Sequence, residues 1–81
     1  MSDPDFRERA HDLDATVRVG KGGVEAVSEE LAAQLEGREL VKAKFLRAAR
    51  GGTNTDELAE RLAELAGAEL VETRGHTATY H

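Results

Sequence analysis

Apolar residues recur along this chain with two different periods, and the changes of period mark out its elements. Asp3-Pro4-Asp5 reads as a helix start, because proline suits the first turn and acids suit the positive helix end. A short helix over about residues 5–13 would bury Phe6, Ala10 and Leu13. Thr16-Val17-Arg18-Val19 alternates polar with apolar and is β-branched, which predicts a strand. Gly20-Lys21-Gly22-Gly23 interrupts it, and Val24, Val27, Leu31 and Leu35 then fall at helical spacing. That predicts a helix from Val24 to Gln34 or Leu35, with Gly37 as its stop and Glu25, Glu29, Glu30 and Glu36 elsewhere on the wheel.

Alternation returns from Leu40 to Leu46, with Val41, Ala43 and Phe45 on one face and Lys42 and Lys44 on the other. A loop from Arg47 to Thr53 carries Arg50-Gly51-Gly52. Thr53 or Asn54 caps a third helix, with Glu57 three residues after Asn54 as in a capping box. Its buried stripe would be Leu58, Leu62, Leu65 and Ala66, with Glu57 and Arg61 as an i,i+4 ion pair and Gly67 as the stop. Leu70 to Arg74 and Thr77 to Tyr80 read as two strands about a Gly75-His76 turn, with Tyr80 half-buried. The order is αβαβαββ, an α/β (α+β) single domain over residues 1–81. Strand–helix–strand crossovers call for parallel neighbours and the short last turn for an antiparallel hairpin. A small mixed four-stranded sheet covered by helices follows. Its expected core is Val17, Val19, Val27, Leu31, Val41, Phe45, Leu58, Leu62, Leu65 and Val71.

Charge changes the picture in one respect. The 81 residues carry a net charge of −5, which argues against a nonspecific nucleic-acid coat. Yet residues 18–50 hold seven bases against five acids, and local potential steers a ligand more than the total does. Acids dominate both flanks, and only three of the eleven bases are lysine, a balance that would suit a very salty cytoplasm. Without cysteine there is no disulfide, thiolate zinc site or cysteine nucleophile. The apolar runs are too short to cross a membrane, and the charged N-terminus does not read as a signal peptide, so a cytoplasmic protein is expected.

Two features could carry chemistry. Gly20-Lys21-Gly22-Gly23, between a strand and a helix, could aim the N–H groups of Gly22 and Gly23 at a phosphate while Lys21 adds charge. It is neither a Walker A loop nor GxGxxG, since Glu25 stands at the third glycine position, and the same glycines could simply make a tight turn. The second feature is a basic strip in which Lys42 and Lys44 share a strand face, Arg47 and Arg50 continue from its end, and Arg18 joins from the first strand. A solvated sheet edge is the plain alternative. Phe6, Phe45 and Tyr80 are too few and too buried to make a stacking platform for unpaired bases. His11, His76 and His81 lack metal-ligand spacing, and Ser2 and Ser28 lie in no nucleophile motif, so neither a metal, a cofactor nor an enzyme activity is expected.

Four pieces resemble a known family in order and spacing: Arg9-Ala10-His11-Asp12-Leu13, Gly20-Lys21-Gly22-Gly23, the strand from Glu39 to Lys44, and the tail from Gly67 to Gly75. Together they look like the CRM domain, named for chloroplast RNA splicing and ribosome maturation, in its stand-alone YhbY-like form found in bacteria and archaea; an archaeal member is the expectation. The resemblance runs from about residue 6 to the end. It implies an RNA-binding fold akin to the C-terminal domain of translation initiation factor three. It further implies a loop, here Gly20 to Gly23, that contacts RNA as the GxxG loop of KH domains does. Single-domain members are associated with the large ribosomal subunit precursor. This chain departs from relatives in an acidic, short first helix, in the ending Ala78-Thr79-Tyr80-His81, and in an Arg-Gly-Gly-Thr-Asn run after the second strand. The expected function is noncatalytic binding of structured RNA, ribosomal RNA in large-subunit assembly, by a monomer. The site would comprise Gly20, Lys21, Gly22, Gly23, Arg18, Lys42, Lys44, Arg47 and Arg50. The alternative is a protein-interaction adaptor that uses the acidic helix faces.

Overall fold

The elements follow one another in the order that the hydrophobic pattern predicts. The computed structural model describes the backbone of residues 4–81 and the side chains from residue 8 onward. It shows α1 (Pro4–His11), β1 (Ala15–Val19), α2 (Ser28–Gly37), β2 (Val41–Phe45), α3 (Thr55–Ala66), β3 (Leu70–Arg74) and β4 (Thr77–Tyr80), with 3₁₀ turns over Val24–Ala26 and Arg47–Ala49. The strands form one mixed sheet in the order β1-β2-β4-β3. The helical crossover makes β1 and β2 parallel, with Val17 opposite Ala43 and Val19 opposite Phe45. The α3 crossover carries the chain two places beyond β2, and the hairpin returns β4 antiparallel into the gap.

Period-2 alternation then sorts the two faces. Val17, Val19, Val41, Ala43, Phe45, Ala78 and Tyr80 point to one side and pack under Val24, Val27, Leu31, Leu58, Ala59 and Leu62 from the α2/α3 layer. Tyr80, expected to be half-buried, is fully buried, because β4 lies inside the sheet and its ring reaches across the core. Its hydroxyl donates to the Ala59 carbonyl of α3 at 2.8 Å, and burial pushes the phenol pKa far above its ordinary 10. The opposite face is divided. His11 of α1 lies 3.3 Å from Glu72, whose register partner Thr79 is only 1% exposed, and Ala10 is fully buried. So α1 covers the β3–β4 half, with Leu40 and Val71 also buried outside the main cluster. The side chain of Phe6, expected in that contact, lies outside the described residues. The β1–β2 half has Arg18 and Lys44 exposed and Lys42 partly buried at its border.

The structure corrects several boundaries. The helix expected from Val24 is broken: Val24–Ala26 is a 3₁₀ turn, Val27 sits at φ −116°, and α2 starts at Ser28. A 3₁₀ turn eclipses residues three apart, which brings Val24 and Val27 onto the core together. Gly37 is the last helical residue and has no left-handed cap role, whereas Gly67 caps α3 at φ 67°. Leu46 lies outside β2 and is exposed. Leu65 was expected in the core but is 47% exposed, while Ala59, Leu62 and Ala66 are turned inward. The buried stripe is centred on Ala59 and Leu62, and Leu65 falls about 20° beyond Leu58, past its margin.

Leu62→Ala should destabilise the protein by about 2–5 kcal/mol in urea unfolding, whereas Leu65→Ala should change it by under about 0.5 kcal/mol. Equal losses would show that α3 is rotated from this placement. Tyr80→Phe should cost about 0.5–1.5 kcal/mol. The folded parent keeps the phenol proton that the unfolded chain releases near pH 10, so its stability is complete below that pH and falls above it. The Tyr80→Phe protein should lack that share of the alkaline fall in a pH series of unfolding curves.

Candidate functional site

Parallel pairing of β1 and β2 sets their C-terminal ends side by side, and the two loops that follow become neighbours. The Leu46 N–H donates to the Val19 carbonyl at 2.8 Å, and Gly20 leaves an ordinary 3.8 Å contact distance to the Leu46 side chain. The ends of parallel strands are where such sheets commonly bind ligands, since loops and unsatisfied backbone groups gather there. Lys21 and Arg47 are exposed at this end. On the open half of the sheet face, Arg18 stands opposite Lys44 in the register, on strands about 4.8 Å apart. Lys42 continues the row beside Thr79. The acids near these strands, Asp12, Asp14 and Glu39, lie at the other end, before β1 and β2 begin.

Like charges directly opposite on adjacent strands destabilise a sheet. Among the described residues no carboxylate lies within ion-pair distance of Arg18 or Lys44. The structure brings Arg18, Lys44 and the partly buried Lys42 onto one face of the sheet, with Lys21 and Arg47 exposed on the loops at its end. Arg50 differs: it is partly buried, and its Nε donates to the Phe45 carbonyl at 3.1 Å, pinning the loop after β2.

The glycine turn is built otherwise than its sequence suggests. It precedes a single 3₁₀ turn, so it does not lie at the positive end of α2. The Gly23 N–H is already given to the Gly20 carbonyl at 3.0 Å. Positive φ falls at Gly23, at 76°, while Gly22 is closely packed, since a Cβ there would lie 3.0 Å from that of Ala26. A carboxylate sits against the turn. Glu25 Oε1 is 3.1 Å from where a Gly23 Cβ would be, and Oε2 accepts from Arg61 Nη2 of α3 at 2.8 Å. A hydrogen bond from its own backbone N–H, and then Arg61, hold the Glu25 carboxyl below the usual 4.5.

Glu25 and Arg61 were thus missed as part of this surface. Sequence spacing pairs Arg61 with Glu57, but Glu57 is engaged at the helix start: its N–H donates to Asn54 Oδ1 at 2.9 Å and its carboxylate accepts from the Thr53 hydroxyl at 2.9 Å. The one available signal was that Arg61 is the single base in α3.

Two open hollows flank the strip. One, of about 350 Å³, is lined by Arg50, Thr53, Asn54, Thr55, Asp56 and His76 near the Gly75 turn; the other, of about 410 Å³, lies at the acidic end between Arg9 and Leu40. His76 faces the Thr55 hydroxyl and His11 faces Glu72. Among the described residues, no three His, Asp or Glu side chains gather as a metal ion would require, and no helix is long and apolar enough to cross a membrane.

Residues 4–81 match the CRS1/YhbY (CRM) domain model. The chain belongs to the CRM-domain family. A relative in Methanocaldococcus jannaschii, named a probable RNA-binding protein, is 42% identical over 74 residues, covering 91% of this chain and 55% of the relative. The chain thus spans about half the length of that relative. A probable RNA-binding protein of Bacillus subtilis is 38% identical over 73 residues, 89% of this chain and 74% of its own length. The solution structure of a hypothetical protein from Staphylococcus aureus, described as a candidate RNA-binding protein, superposes with a TM-score of 0.73 at 35% identity, over 93% of this chain and 77% of that one. The mixed four-stranded sheet with its three helices is therefore the CRM fold.

Gly23 combines φ 76° with ψ −176°, a region open essentially to glycine alone, so Gly23→Ala should cost about 1–3 kcal/mol in urea unfolding. In a side-chain carboxyl NMR titration, Glu25 should titrate below 4.5, and Arg61→Ala should raise its midpoint only part of the way back, because the backbone hydrogen bond is the larger cause. The stability this carboxylate contributes is present above 4.5 and is lost as pH falls through its lower folded value.

Proposed function

We propose that this CRM domain binds structured RNA without catalysis, through the Gly20–Gly23 loop and the basic half of its sheet. The observation that carries the proposal is the register pairing of Arg18 with Lys44, unneutralised by any described carboxylate and continued by Lys42, Lys21 and Arg47. Such a row opposes folding on its own and is relieved by a polyanion, whose phosphates release counterions as they meet the cations. A basic surface with few aromatics suits a phosphate backbone held in a folded RNA better than splayed single-stranded bases. The names of the relatives support the same partner. Ribosomal RNA in the large-subunit precursor is the target we propose, with the protein acting as a cytoplasmic monomer.

Gly20, Gly22 and Gly23 let the backbone approach the RNA closely, Lys21 and Arg47 supply charge at the strand ends, and Arg18, Lys42 and Lys44 extend the footprint. Arg50 acts by holding the second loop in place. Crosslinking in cells followed by sequencing of the attached RNA should recover large-subunit ribosomal RNA; recovery of no RNA above a background control would overturn the reading.

With purified protein and a ribosomal RNA fragment, Lys21→Ala should lower the slope of log affinity against log salt by about one. Lys44→Ala should do likewise, with little dependence on RNA sequence. Gly22→Asp, with folding checked by circular dichroism, should weaken binding more than Lys21→Ala and stay harmful at high salt, since it sets a carboxylate and extra bulk against the loop. A folded Gly22→Asp protein that binds like the parent at every salt concentration would move the site elsewhere.

A further inference from the structure

Beside the RNA surface just proposed, the Glu25–Arg61 pair is, among the described residues, the place where a cation near the glycine loop is already neutralised. Its Glu25 oxygens reach in two directions: Oε1 lies 3.1 Å from the Cβ position that Gly23 leaves vacant, and Oε2 lies 2.8 Å from Arg61 Nη2. The carboxylate thus lies against the bare Gly23 backbone and accepts from its own N–H and from the Arg61 guanidinium, donors that a phosphate oxygen could use in its place. Both side chains remain more than half exposed, at 58% for Glu25 and 60% for Arg61, so either can be reached by a ligand without opening the core. Exposed ion pairs of this kind are weak, and exchange of one anion for another requires little energy. Lys21 is an exposed residue of the same turn, so without Glu25 the loop's three glycines would have two cations on the elements around them and no described carboxylate paired to Arg61. Among the described residues, the strip on the sheet face has no such internal anion.

We propose that Glu25 is a built-in competitor for RNA: its carboxylate occupies a phosphate position beside the glycine loop in the free protein, and RNA binding exchanges that carboxylate for a phosphate and takes over Arg61. Arg61 then belongs to the RNA surface, which wraps from the sheet face past the loop onto α3. Glu25 sets how tightly a generic phosphate backbone is held, and an RNA wins only by reaching the loop and the strip together. This inference rests on the RNA-binding reading and sharpens it.

The experiment is a double-mutant cycle with Glu25→Gln and Arg61→Ala, the fold of each variant checked by its amide NMR spectrum. The proposal expects Glu25→Gln to tighten binding to the ribosomal RNA fragment about two- to fivefold and to steepen the salt slope by up to about one. Arg61→Ala should weaken binding more in the Glu25→Gln background than in the parent, because only there is the guanidinium without its internal partner. Additive effects, or weaker binding by Glu25→Gln, would overturn the exchange; the latter would make Glu25 a positioning residue for Arg61.

Inorganic pyrophosphate, followed through the Arg61 Nε–H resonance and the amides of residues 20–25, separates this from the broader reading. A response at lower pyrophosphate concentration in Glu25→Gln than in the parent supports the exchange. That response in a protein none of whose variants binds RNA would keep the exchange and sink the RNA reading. Identical responses in the two proteins would sink the exchange.

Discussion

The parallel pairing of β1 with β2 is the constraint on which the rest of this molecule depends. It is held by apolar residues that alternate on both strands, Val17 and Val19 against Ala43 and Phe45, buried under α2 and α3. Slipping β1 by one residue would turn its valines out to water and bring Arg18 toward the core, and slipping β2 would do the same with Lys44. The same alternation that builds the core therefore fixes the cations opposite one another on the other face. It also fixes the strand ends, so that the loop after β1 and the loop after β2 meet through the Leu46–Val19 hydrogen bond. Core and charged strip are two faces of one register.

The division of the outer face follows from the other end of the sheet. The α3 crossover and the final hairpin place β4 and β3 beyond β2, and α1 closes over them through Ala10 and the His11–Glu72 contact. Among the described residues, this short helix meets the β3–β4 half of the four-stranded face. The half it leaves carries bases, which need solvent or an anion, while the half it covers includes Thr79, a small polar side chain that can be buried between strands. Tyr80 joins the layers on the inner side, its hydroxyl meeting the Ala59 carbonyl across the core.

Stability and recognition pull against each other around the glycine loop. Gly23 adopts a backbone conformation that other residues resist, Gly22 is packed against Ala26, and the Gly23 N–H is already satisfied within the turn. These local constraints restrict the conformations of the loop before any ligand arrives, which favours binding by lowering the ordering cost. In return, the close approach that its missing side chains permit is partly taken up by Glu25.

Element order, strand and helix identity, and the assignment of Lys42 and Lys44 to the face opposite Val41 and Phe45 were all legible in the sequence, because they depend on periods of two and 3.6 that each segment carries within itself. The cap at Asn54 and the stop at Gly67 were legible for the same local reason. What the tertiary structure alone decided depends on partners distant in the chain. Arg61 turns from Glu57, four residues away, to Glu25, thirty-six away, because the Asn54 cap engages Glu57 and α3 packs beside the loop. Leu65 is left in solvent because the rotation of α3 follows the shape of the sheet below it rather than the count of leucines. Val24 and Val27 reach the core from a 3₁₀ turn and the residue that follows it, where the apolar spacing alone reads equally as α-helix. Local periodicity specifies which face of each element is apolar; only packing decides how far each element turns, and so which charges come to stand together.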